Sequence, residues 1–307
     1  MKWPISLKKS WHNYLIYISL VFLIFTLIKA DYLRIPVIYS HLFMFASLGL
    51  LFAGFIVNTV SQYKLLTQSN YAIRFQHALA MVGLNVFGKY IPGKMWLVVG
   101  SAAYVAEKRG YPMVDLSVLF VQAQIIGIWS GLMLGVAGLF ISKNLHYVSW
   151  IGFFILAGLS AILFSPKAHD AVERLVNRFR HTPIKLPRLT LRSTILLLPW
   201  FLGNWLIWGF GFYLLTISLT QHAIPFSIIF CFPLAGTLGI LVLLAPGGVG
   251  IREGIIAGYL SHLNINLADA ITVSAAARLW FLIGEIFIFA VGFAANRWGH
   301  RAMHSKN

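Results

Sequence analysis

Five charged residues stand in apolar sequence where a charge is costly: Lys94, Arg252, Glu253, Arg278 and Glu285, with Lys89 close to the same depth. A charged side chain at mid-bilayer costs about 2.5 to 3.5 kcal/mol even on the lenient insertion scale, so it persists only where it is paired, hydrated or used. Lys94 follows the break Gly88-Lys89-Tyr90-Ile91-Pro92-Gly93, and Arg252 and Glu253 follow the break Ala245-Pro246-Gly247-Gly248-Val249-Gly250-Ile251. Proline removes a backbone donor and clashes with the preceding turn, and glycine loosens what remains. A helix restarting after Gly93 or Gly248 presents unsatisfied amide donors and the positive end of its dipole to the membrane interior. A cation in that first turn completes an anion site. Two such starts facing each other would hold a phosphate or phosphodiester at mid-membrane, and the Gly247-Gly248-x-Gly250 run lets backbone approach a ligand closely.

Lys94, Arg252 and Arg278 against Glu253 and Glu285 leave one positive charge over, two with Lys89, which an anionic ligand would balance. The same charges could instead pair with one another and with carbonyls freed at the breaks, holding the hairpins in place. Seven residues separate Arg278 from Glu285, which puts them on one helix face about 10 Å apart along the axis. They are too far apart to bond directly, so partners on the second hairpin are expected. Either carboxylate could carry a coupling proton.

Other chemistries lack their residues. There are no paired intramembrane aspartates and no Ser and His on facing breaks, so no catalytic constellation is expected. His77, His222 and His262 have no second ligand at helical spacing, Cys231 is the single cysteine, and neither a metal nor a cofactor is implied. The glycine run lacks the strand context of a dinucleotide fold. Gln122, Gln124 and Asn204 read as hydrogen-bonding groups between helices.

The elements that hold these residues follow from composition. Of 307 residues, 59% are hydrophobic and 10% charged, and mean hydropathy is +0.80, which excludes a soluble globule. The balance of 24 Lys plus Arg against 8 Asp plus Glu then points to an anionic lipid surface rather than to nucleic acid. Apolar runs cover Tyr14 to Ile28, Val37 to Val60, Leu116 to Ile141, Tyr147 to Phe164, Ile195 to Leu219 and Ala268 to Ala295, with interrupted stretches at His77 to Val105 and Phe226 to Leu260. A span needs about 20 residues, and the half-helices flanking each break are shorter. The expected fold is an all-α integral membrane bundle of six full spans plus two broken re-entrant hairpins, or eight spans if the hairpins cross. The loop from Pro166 to Arg192 opens as an amphipathic helix with Val172, Leu175, Val176 and Phe179 on one side.

Pro92 and Pro246 lie 154 residues apart, half the chain, and at that offset Gly93 meets Gly247, Gly100 meets Gly254 and Asp115 meets Asp269. The order span, span, broken hairpin, span also repeats. This divides the chain into repeats 1–145, with hairpin 77–106, and 146–307, with hairpin 226–262, and an odd number of crossings inverts the second. Of the 24 Lys and Arg, Lys89, Lys94, Arg252 and Arg278 fall in hairpins or spans and only Lys29, Arg34 and Lys143 on external segments, once the N-terminus is placed inside. The other seventeen are then internal, which sets both termini in the cytoplasm of a cell (inner) membrane protein. Broken helices at matching positions of inverted repeats mark the binding site of a transporter.

Lys89-Tyr90-Ile91-Pro92-Gly93-Lys94-Met95-Trp96, with Asn85 before it, resembles the Tyr-x-Pro-Gly-Lys-x-Trp signature of the lysylphosphatidylglycerol synthase transmembrane, or flippase-like, family. Pro246-Gly247-Gly248-Val249-Gly250-Ile251-Arg252-Glu253 resembles that family's Pro-Gly-Gly-x-Gly-x-Arg-Glu signature. The resemblance implies a domain that moves a lipid with a charged headgroup between leaflets, and it adds Tyr90 and Asn85 to the substrate-binding candidates. With twelve residues after the last expected span, a soluble aminoacyl-transfer domain is not expected, and neither is enzyme activity. The lead expectation is a translocator of an anionic or zwitterionic phospholipid or polyprenyl-phosphate-linked lipid, its partners being that lipid and proteins of cell-envelope synthesis. Alternatives are an ion-coupled carrier of a small anionic solute and a non-transporting scaffold of an envelope-synthesis complex.

Overall fold

The computed structural model describes residues 36–91, 96–142, 146–178, 191–241, 248 and 250–304. The expected first span, Tyr14 to Ile28, lies outside them, as do Pro92, Gly93, Lys94, Pro246 and Gly247. Among the described residues there are helices and no strands. In chain order they are α1 (His41–Gln68), α2 (Phe75–Asn85) with the 3-10 turn η1 (Val86–Tyr90), α3 (Trp96–Arg109), α4 (Met113–Ile141), α5 (His146–Phe164), α6 (Pro166–Arg178), α7 (Leu191–Leu219), the 3-10 turn η2 (Phe226–Phe230) leading into α8 (Cys231–Leu241), α9 (Ile251–His262) and α10 (Leu267–His304).

Among the described residues, four helices are long and apolar enough to cross a bilayer: α1, α4, α7 and the Leu267–Trp298 stretch of α10. Helix α5 has 19 residues, and its apolar stretch Tyr147–Ala161 is shorter than the other four. The arms flanking the two breaks are shorter still. Trp96–Arg109 has 14 residues and Ile251–His262 has 12, about 21 and 18 Å at 1.5 Å per residue, against a hydrocarbon core of about 30 Å. One boundary differs from expectation: α10 does not stop at Ala295 but runs to His304. Asn296-Arg297-Trp298-Gly299-His300-Arg301 ends the apolar run but contains no proline, so the helix continues past the hydrophobic stretch. The amphipathic helix after Pro166 is present as α6, with Phe179 outside the described residues.

Helices α1 and α7 form the central pair. Ser47 Oγ donates to the Gly211 carbonyl at 2.8 Å and Trp208 Nε1 to the Leu51 carbonyl at 3.3 Å, so rising numbers on one helix meet falling numbers on the other. Around this antiparallel pair α2 packs on α10 and α8 on α4. Likewise α3 packs on α4 and α9 on α10, and α1 meets α10 where α7 meets α4. The α2–α10, α3–α4 and α1–α10 pairings match α8–α4, α9–α10 and α7–α4 in chain order, while α4 also packs on α5. Small residues permit the closest crossings. A Cβ placed on Gly83 of α2 would come within 2.8 Å of the Gly292 Cα on α10, and one on Gly135 of α4 within 2.8 Å of the Leu234 Cβ on α8.

Two buried clusters result. One gathers Leu65, Ala78, Met81, Val98, Leu116 and Leu119 around the base of the first hairpin. The other gathers Phe55, Tyr90, Trp208, Phe212, Phe232, Trp280 and Phe281, and the charged residues sit in its midst. Apolar side chains on the outside, such as Tyr147, Trp150, Ile151 and Phe154 of α5, are exposed, as suits a surface solvated by lipid tails.

Candidate functional site

Three elements converge on the charged cluster. The η1 turn carries Lys89 and Tyr90 at the tip of the first hairpin, the first turn of α9 carries Arg252 and Glu253, and the middle of α10 carries Arg278 and Glu285. Local backbone explains how the second of these arises. Gly248 and Gly250 have φ of +70° and +82°, the left-handed region where a side chain is strained. A Cβ on Gly248 would also lie 3.1 Å from the Gly239 Cα, so α8 and the turn touch backbone to backbone. Gly250 then caps α9, and its amide donates to Glu253 Oε2 at 2.7 Å, which satisfies one donor of the helix start.

Glu285, 1% exposed, joins α10 to the first hairpin. Lys89 Nζ pairs with its Oε1, and the Tyr90 hydroxyl donates to its Oε2 at 2.8 Å. This corrects the expectation that its partners lie on the second hairpin; η1 enters deeply enough to reach it first. Arg278 meets that expectation: its Nη1 lies 3.7 Å from Glu253 Oε1 on α9, with both side chains largely buried. The Arg278 guanidinium also lies 5.4 Å from the centre of the Tyr90 ring, so one arginine touches both hairpins.

Arg252 is held differently. It is 7% exposed, and its guanidinium sits 4.3 Å from the centre of the Phe232 ring and 4.5 Å from that of Phe281. Cation–π attraction of this kind strengthens once water is excluded. Its Nη2 is buried with no hydrogen-bond partner. A buried, always-charged fork with an open donor is a group poised for a planar or tetrahedral oxyanion. Lys89 Nζ lies 4.8 Å from the same Phe281 ring, so the cage links the two cations. Phe232 and Phe281 were not singled out in the sequence, although Phe281 stands three residues after Arg278, the spacing that puts both on one helix face.

Asn85 is turned to the seam of its own hairpin. Its Nδ2 donates to the Met81 carbonyl at 2.8 Å, and its side chain packs on Gly100 of α3. Lys94, Pro92, Gly93, Pro246 and Gly247 lie outside the described residues. Among the described residues, no group of three or more His, Cys, Asp or Glu could hold a metal.

The all-helical bundle with its long apolar helices is the architecture of a polytopic membrane protein. The chain belongs to the family described as the lysylphosphatidylglycerol synthase TM region, whose model matches residues 13–292. It is therefore a membrane protein of a flippase-like family. No curated protein matches it.

Proposed function

We propose that this protein moves a lipid with a phosphate headgroup between the leaflets of the cytoplasmic membrane, binding the phosphate near the midplane. The observation that carries this reading is Arg252, buried between two aromatic rings with an unpartnered Nη2. A phosphodiester would accept its free donor, and charge-assisted bonds of this kind contribute about 1.5 to 3 kcal/mol. Family membership supports a lipid as cargo, and the paired packing of the two halves supports inverted repeats that rock against each other. Both termini lie in the cytoplasm on this reading, and the acyl tails stay in the bilayer while the headgroup crosses.

The test is reconstitution of the full chain into liposomes containing a fluorescent phosphodiester lipid, with leaflet accessibility followed over time. The intact protein accelerates exchange, Arg252→Ala slows it at least tenfold, and Arg252→Lys recovers part of the rate. An Arg252→Ala protein that inserts normally and exchanges lipid at the wild-type rate would remove the basis of the proposal.

A further inference from the structure

Away from the charged cluster, the first hairpin flanks a second polar feature inside the bundle. A cavity of about 60 Å³ lies between α1, α2, α3 and α4, and its polar lining is Asn58, Gln62, Ser101 and Gln124, with Met81 and Leu97 among its apolar walls. That is room for several water-sized groups. Among the described residues, its lining holds no ionisable side chain. Gln62 Oε1 is buried without a hydrogen-bond partner, so an acceptor waits there for an N–H or O–H donor. An amide or hydroxyl left unpaired in an apolar setting is costly, and three amides and a hydroxyl from three helices on one cavity are more than packing needs.

The cavity lies at a shallower depth than the charged cluster. Gln62 is six residues from the end of α1, Ser101 eight from the end of α3, and Gln124 eleven from the start of α4. At 1.5 Å per residue these are depths of about 9, 12 and 16 Å from the end of the bundle that also bears Lys64, Arg74, Lys108 and Arg109. Lys89 is fourteen residues from the start of α2, about 21 Å from that end. A headgroup entering from that end reaches the depth of the amides before that of Lys89.

We infer that this cavity is a second headgroup station, and that it recognises the uncharged, hydroxyl-bearing part of the lipid headgroup. The inference rests on the lipid-transport reading above and adds the class of headgroup. Amide oxygens accept from hydroxyls and amide N–H groups donate to them, so Asn58, Gln62 and Gln124 can each exchange two-way bonds with a polyol or sugar. Among the described residues lining it, a phosphate or ammonium group would find no countercharge. A bare monovalent cation is a poorer occupant, because the described lining supplies four neutral side-chain groups and no carboxylate.

Phosphatidylglycerol and phosphatidylmethanol separate the possibilities, since both are phosphodiesters of the same charge and only the first carries headgroup hydroxyls. The two lipids are offered at equal concentration to the purified full chain in detergent, and retention is read by native mass spectrometry. The wild type retains phosphatidylglycerol roughly tenfold better, as expected for one or two added hydrogen bonds. The double variant Gln62→Leu, Gln124→Leu loses that preference while retaining phosphatidylmethanol as the wild type does, which also shows that it is folded. Arg252→Ala weakens both lipids and keeps the preference. Equal retention of both lipids by the wild type overturns the inference and leaves the transport reading standing, as for a cavity that holds only water. Retention of neither lipid by the wild type ends both. Should the double variant fail to fold, Gln62→Leu alone must lower the preference, and an unchanged preference counts against the station.

Discussion

At the residue scale the site is a set of unequal debts. Glu285 is almost fully buried and answers to two donors, Lys89 and Tyr90, whereas the Lys89 side chain is 28% exposed. Breaking a buried pair by removing one partner costs about 3 to 5 kcal/mol, much of it the stranded charge. Because Lys89 keeps some access to its surroundings, Glu285→Gln should fall at or below the lower end of that range, visible as a drop in melting temperature of the detergent-solubilised protein. Adding Lys89→Met to Glu285→Gln recovers most of the loss, since nothing charged is then stranded, while lipid exchange stays impaired. A double variant no more stable than the single one would show that the pair does not act as a pair. The sequence made the charged residues legible because charge in an apolar run stands out on its own. It concealed their pairing, because the reach of η1 from Phe75 depends on packing between helices far apart in the chain. The aromatic cage around Arg252 was hidden for another reason: Phe232 and Phe281 sit among so many apolar residues that only their position on α8 and α10 distinguishes them.

At the element scale, the crossing of α2 and α10 positions the first hairpin. Gly83 and Gly292 meet backbone to backbone there, with a Cβ on Gly292 lying 2.7 Å from the Leu79 carbonyl oxygen. Gly83→Val or Gly292→Val must push the two helices apart, and cost about 1 to 3 kcal/mol in overpacking. The displacement carries η1 away from Glu285, so each variant should lose both thermal stability and lipid exchange although neither residue touches a charge. Gly49, whose Cβ would meet nothing within 4 Å, is the control and should tolerate the same change. The turn before α2 offers a pH-dependent check. The Tyr71 hydroxyl donates to Asp115 Oδ2 at 3.1 Å, and burial followed by this carboxylate pushes the phenol up to about 12 from 10.0. A raised pKa means the bond stabilises the fold below pH 10 and its contribution fades as pH rises through 12. Tyr71→Phe should therefore melt lower than wild type at neutral pH, by about 1 kcal/mol of stability, and the gap should close in strong alkali. Helix existence was readable from hydrophobic runs, and the hairpins from proline and glycine. The extension of α10 to His304 was not, because hydropathy reports where lipid is and not where hydrogen bonding along a helix stops.

At the scale of the whole molecule, the pairing of α2 with α10 and of α8 with α4 means that each hairpin is fastened to the last long helix of the other half. If the halves rock to carry a headgroup across, these two seams must slide or open, while the α1–α7 pair at the centre can remain in place. One contact reports on the other arm of the first hairpin against α10, away from the charged cluster: the Tyr104 hydroxyl of α3 donates to Asn296 Oδ1 of α10 at 3.0 Å. With the buried Cys231 replaced by alanine, Tyr104→Cys with Asn296→Cys gives two thiols that a short, cleavable bifunctional reagent can join. Alternating access predicts that joining them stops lipid exchange in liposomes and that cleaving the reagent restores it, with each single cysteine variant unaffected by the reagent. Full exchange with the Tyr104–Asn296 link complete would mean that the first hairpin and α10 move as one body, and that the cargo passes by another opening.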